Sequence, residues 1–158
     1  MKASIMTRLK RLDRPIRYKF LMVPHPVCTL ALLFFLFQRD GTGLARLSLA
    51  AALWHESGHL LAYRLLRGDW PPLQVQFTGF SLEGRLLSRG QDLWVTLAGP
   101  AANFLACLGF WSAARYKASY GLYACAAVNL WVGAFNLLPV GPLDGRRLWK
   151  LLRDEIAF

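Results

Sequence analysis

The chain has 158 residues, of which 55% are hydrophobic, with a mean hydropathy of +0.31 and a formal net charge of +10. That length accommodates one compact bundle and excludes an appended soluble module of ordinary size, while the hydropathy is high for a soluble globular chain, so the expected class is a polytopic membrane protein. The basic residues flank apolar runs and do not interleave with aromatics on a polar face, which points to topology and anionic lipid and away from nucleic acid.

Residues 1–19 hold seven basic side chains, Lys2, Arg8, Lys10, Arg11, Arg14, Arg17 and Lys19, against one acid, Asp13. Nothing after the next apolar run resembles a small-residue cleavage site, so this stretch is expected to be a retained cytoplasmic arm on the lipid surface. The apolar run 20–37 is barely long enough to span and is interrupted early by Pro24-His25-Pro26. A turn over 38–43 leads into a second apolar run, 44–66, stopped by Gly68-Asp69-Trp70-Pro71-Pro72. Leu73-Gln74-Val75-Gln76-Phe77 then alternates apolar and polar side chains, and with a second short strand in 80–87 it predicts a β-hairpin or small sheet.

The third apolar run, 92–114, carries Ala98-Gly99-Pro100-Ala101-Ala102-Asn103. Its small residues let a neighbouring helix approach closely, and Asn103 is a polar group in a span that must find a partner. A fourth run, 119–138, ends in Asn136-Leu137-Leu138-Pro139-Val140-Gly141-Pro142-Leu143-Asp144-Gly145. The prolines and glycines there predict a broken, partly unwound helix, which is tolerated at membrane depth only where it lines a cavity or is buried in protein. Residues 146–158 predict a short amphipathic surface helix. The expected fold is therefore an all-α polytopic membrane protein with about four transmembrane helices and a small β-hairpin after the second. Cys28, Cys107 and Cys125 lie inside apolar runs without CxxC spacing and are read as small buried thiols.

With four spans, the arm, the 67–91 loop and the C-terminal tail share one side of the bilayer. Together with Arg64 they hold 15 of the 19 basic residues, leaving Arg39, Arg46, Arg115 and Lys117. Both termini are therefore expected in the cytoplasm.

Near the centre of the second run stands His55-Glu56-Ser57-Gly58-His59, an HExxH sequence. On a helix the two histidines share one face and can reach a single zinc ion, with the Glu56 carboxylate placed to act on water there. Ionisable side chains within an apolar span are costly, so a site is a better reading than chance. A catalytic zinc takes three protein ligands, and the candidates for the third within apolar surroundings are His25 and Asp144. Asp144 is preferred, because its place in a helix break frees it to reach a neighbouring helix.

In order and spacing, His55-Glu56-Ser57-Gly58-His59, Gly99-Pro100-Ala101-Ala102-Asn103, and Asn136-Leu137-Leu138-Pro139 leading to Leu143-Asp144-Gly145 resemble the site-2 protease family of intramembrane zinc metalloproteases. The resemblance covers roughly residues 44–150. It implies one Zn2+ held by His55, His59 and Asp144, Glu56 as general base, and Asn103 and Asn136 as residues positioning substrate backbone or the ligand helix. It also implies that the hairpin offers an edge strand to an unwinding substrate helix. Residues 20–158 would then be the protease domain behind the 1–19 arm. The implied partners are the lipid bilayer, a membrane-anchored protein substrate and a membrane regulatory protein, with regulated intramembrane proteolysis in a bacterial cell membrane as the setting. There is no recognisable PDZ insertion and no nucleotide-sensing module after the last motif, so the implied form is a minimal bacterial one, similar in layout to the sporulation-protease branch. Two rival readings are a catalytically inactive relative acting as a membrane-protein binding module and a zinc transporter. Intact His55, Glu56, His59 and Asp144 argue against the first, and the scarcity of polar residues in the last two spans argues against the second.

Overall fold

A computed structural model describes residues 15–18, 21–23, 25–71, 73–76, 79–82 and 87–156. Most of the basic arm (1–14 and Lys19) lies outside the described residues, as do Phe77, Thr78 and Gly84 of the expected hairpin. In chain order the elements are β1 (Ile16–Tyr18), β2 (Leu21–Val23), α1 (Pro26–Gln38), α2 (Leu44–Arg67), β3 (Leu73–Gln76), β4 (Gly79–Leu82), α3 (Arg89–Tyr116), α4 (Tyr120–Asn136) and α5 (Asp144–Ile156). They fall into two compact units, Met1–Gly41 with Trp70–Arg85, and Thr42–Asp69 with Leu86–Phe158.

The first unit holds α1 and a four-stranded sheet in the order β1-β2-β3-β4. β1 pairs antiparallel with β2, β2 parallel with β3, and β3 antiparallel with β4, where Val75 stands opposite Phe80 and Gln76 opposite Gly79. The alternating stretch after α2 is thus two strands of a larger sheet. Leu21–Val23, which the sequence reading joined to the apolar run 20–37, is a strand and not the start of a helix. Proline explains the correction: the residues before one are biased towards extended backbone, and Pro26 has no N–H to lose at the opening turn of α1. Only 13 residues remain helical, about 20 Å against a hydrocarbon core of about 30 Å. Cys28 on α1 is exposed, and Cys107 and Cys125 are half-buried, so none of the three is the fully buried thiol expected. The apolar runs that carry them point much of their surface outward.

Four helices make up the second unit. α2 ends where Gly68 takes a left-handed conformation (φ 81°) and donates its N–H to the Arg64 carbonyl, a termination that glycine adopts without a Cβ penalty. α3 opens on a capping box, Ser88 accepting from the Gln91 N–H while the Gln91 side chain accepts from the Ser88 N–H. The two helices approach at backbone distance: a Cβ on Gly58 would lie 2.5 Å from the Ala98 carbonyl oxygen and 2.9 Å from the Ala102 Cβ. One turn away, Trp54 Nε1 donates to the Ala102 carbonyl at 2.9 Å. α4 meets α3 where Gly133 leaves room for Asn103 and Phe104.

The predicted break is present as a run of turns between α4 and α5, with Gly141 at φ 55°. A Cβ on Gly145 would collide with the Leu137 and Leu138 carbonyls, so glycine at that position lets α5 turn back onto the end of α4. α5 is the amphipathic helix expected, extended at its start to include Asp144. Among the described residues, α3 alone is long and apolar enough to cross a membrane by length and composition. α2 has the length, about 36 Å, but is interrupted by its own polar motif.

Gly58→Ala gains about 0.5–1 kcal/mol of helix propensity, whereas overpacking against the Ala98 carbonyl costs about 1–3 kcal/mol. Gly58→Ala should therefore lower the thermal unfolding midpoint of the detergent-solubilised protein. A raised midpoint would contradict the close contact of α2 and α3.

Candidate metal centre

Helical spacing puts His55 and His59 of α2 on one face, and both are buried against α3. Their Nε2 atoms lie 3.1 Å apart. Asp144, the first residue of α5, brings Oδ2 to 2.8 Å from His55 Nε2 and 3.1 Å from His59 Nε2. Of the two candidates for third member, Asp144 joins the pair, while His25 belongs to the first compact unit.

These residues fit a zinc ion on three observations. Ligand atoms at about 2.0–2.1 Å from a tetrahedral zinc are about 3.3 Å from one another, close to the spacing found here. The second is the tautomer of His59. Its Nδ1 lies 2.7 Å from the Val95 carbonyl, which can only accept, so Nδ1 carries a proton and Nε2 is the nitrogen that a metal would take. The third is Gly99, where any Cβ would collide with Nε2 of both His59 and His55. Only glycine on α3 keeps that space open. Asp144 adds a carboxylate oxygen to the two imidazole nitrogens, a donor set that zinc accepts.

Glu56 is half-buried beside His55, and its carboxylate accepts no hydrogen bond from the described residues. Asn103 is fully buried, with both amide atoms lacking a hydrogen-bond partner among the described residues, and sits one turn beyond Gly99 on α3. Asn136, half-buried at the end of α4, donates from Nδ2 to the Val132 carbonyl at 2.9 Å. Sequence reasoning missed the Val95 carbonyl, since a backbone acceptor has no residue signature. It quoted Gly99 for helix packing and missed its clearance of the imidazoles.

Gly99→Ala should weaken metal binding at least tenfold, read as zinc retained after dialysis against a chelator. Gly90→Ala on the same helix, where a Cβ meets nothing within 4 Å, is the control and should retain parental zinc. Equal retention by both variants would contradict the site geometry.

Residues 111–157, which include Asn136 and Asp144, match the model of peptidase family M50. No curated protein sequence matches the chain. Among solved structures it is similar to the site-2 protease from Methanocaldococcus jannaschii, with 18% identity and a TM-score of 0.68 over 89% of this chain and 70% of that one. The M50 match over 111–157 and the shared fold agree with the resemblance to the site-2 protease family that the sequence motifs carry.

Proposed function

We propose that this chain is an intramembrane zinc metalloprotease that hydrolyses a peptide bond in or near a transmembrane segment of a membrane-anchored substrate. The observation that carries the reading is the convergence of His55, His59 and Asp144 within 3.1 Å of one another, with Glu56 adjacent on α2. Those three side chains would hold the ion and leave a coordination position open. Lewis acidity towards water and a peptide carbonyl is the chemistry that zinc supplies when bound. Glu56, without a hydrogen bond among the described residues, takes a proton from the attacking water and returns it to the leaving amine. The burial of Asn103 against α4 favours a role in holding the helix that leads to Asp144. Asn136 keeps its Oδ1 available to accept from a peptide N–H.

A lipid setting is supported by the surface of α3. Only 28% of its most apolar stretch is buried, and Trp94, Leu105, Leu108 and Trp111 are exposed, a surface that the core helix of a soluble protein would cover. The basic-residue distribution favours a multi-pass arrangement with both termini in the cytoplasm of a bacterial cell. β4 is one of the two edge strands among the described residues, and extended substrate would add to it as a further strand. A membrane regulatory protein and regulated proteolysis are consistent with this reading.

Glu56→Gln should retain zinc and lose cleavage of a membrane-embedded model substrate by at least a hundredfold, as expected for removal of a general base. Asp144→Ala and His59→Ala should lose both zinc and cleavage. Cleavage by Glu56→Gln at the parental rate would reject the protease mechanism, and full zinc in Asp144→Ala would place the third ligand elsewhere. For topology, a cysteine replacing the exposed Asp69, and another at the C-terminus, should resist impermeant thiol reagents in intact cells. Labelling at either place from outside would reject the arrangement.

A further inference from the structure

Asp144 is the first residue of a helix that follows a run of turns, so its carboxylate is only as well placed as α5 is held. On that helix Asp144, Arg147 and Leu151 are spaced i, i+3 and i+7 and form one stripe. The opening turn of α3 grips two of the three. Arg147 Nη2 lies 2.5 Å from Asp92 Oδ1, and Arg89 Nη2 donates to the Leu151 carbonyl. The tether at Arg147 sits about 4.5 Å along the axis from Asp144, at three residues of 1.5 Å rise. The close approach of Gly145 to the Leu137 and Leu138 carbonyls holds the start of α5 on another side.

We propose that Asp92 is a positioning residue for the metal site: its ion pair with Arg147 fixes the rotation of α5 that brings Asp144 Oδ2 to His55 and His59. The proposal rests on the zinc-ligand reading above. Metal coordination tolerates only about 0.2 Å of error in ligand distance, so a small roll of α5 is enough to detach the carboxylate. The pair is partly sheltered, with 22% of the Asp92 side chain and 46% of the Arg147 side chain exposed, so it is not a fully solvated surface bridge. The alternative role for Asp92 is to complement the α3 dipole from its first turn. That role would affect helix stability and leave metal geometry untouched.

Cobalt(II) titration of the full-length protein in detergent separates the two, because the visible d–d spectrum reports the coordination sphere as well as affinity. Asp92→Asn and Arg147→Gln should each weaken Co2+ binding about tenfold, the scale of losing an outer-shell support. Each should also shift the spectrum away from the parental form, with circular dichroism unchanged. Asp92→Glu, which keeps the ion pair, should stay within about threefold of the parent. The exchanged pair, Asp92→Arg with Arg147→Asp, should recover most of the affinity and the parental spectrum. Parental affinity and spectrum in both single variants would overturn the proposal, as would failure of the exchanged pair and Asp92→Glu to recover binding. Parent protein that binds no cobalt would overturn the metal-site reading itself.

Discussion

The backbone contact between α2 and α3 is the constraint on which the rest depends. Gly58 lets the two helices close to the distance at which the Val95 carbonyl reaches His59 Nδ1, and Gly99 keeps the space over both Nε2 atoms clear. Two buried imidazoles and a largely buried carboxylate whose ligand atoms converge on one point are costly as a purely structural arrangement, since each is taken out of water. A divalent cation at that point satisfies all three. The same face of α3 supplies Arg89 and Asp92 to α5, Val95 to His59, Gly99 to the ligand atoms and Asn103 to α4. One helix face therefore arranges every element of the second unit that bears on the site.

Particular residues explain how much of this was legible in the chain. The HExxH pair was readable because a helix brings i and i+4 together whatever surrounds it. Asp144 was separable from His25 because the prolines and glycines around it announced a break, and a residue at a break can turn towards a neighbour. Gly68 and the Pro71-Pro72 pair marked the end of α2 for the same kind of local reason. The sheet was legible only in part. Leu73–Gln76 alternates and was readable as a strand, but its parallel pairing with Leu21–Val23 joins segments about fifty residues apart, and no local period encodes such a partner. Leu21–Val23 is as apolar as the helix after it, so composition alone merged the two.

The ion pair between Asp92 and Arg147 and the carbonyl of Val95 escaped the sequence for a different reason. Charged residues at helix ends are common and usually solvated, so nothing in Asp92 or Arg147 distinguishes a tether from surface charge until α5 is seen folded against α3. Among the described residues, Thr96, Asn103 and Asn129 hold buried side-chain oxygen or nitrogen atoms without a hydrogen-bond partner. All three lie on α3 or α4, the helices against which α2 packs.

X-ray absorption spectroscopy of the zinc-loaded protein bears most directly on the central claim, because it counts and identifies the ligands without reference to activity. The account predicts one zinc per chain, with a first shell of two imidazole nitrogens and oxygen at about 2.0–2.2 Å. A sulfur neighbour at about 2.3 Å, which only a cysteine or methionine could supply, or a third imidazole, which only His25 could supply, would contradict the site built from His55, His59 and Asp144.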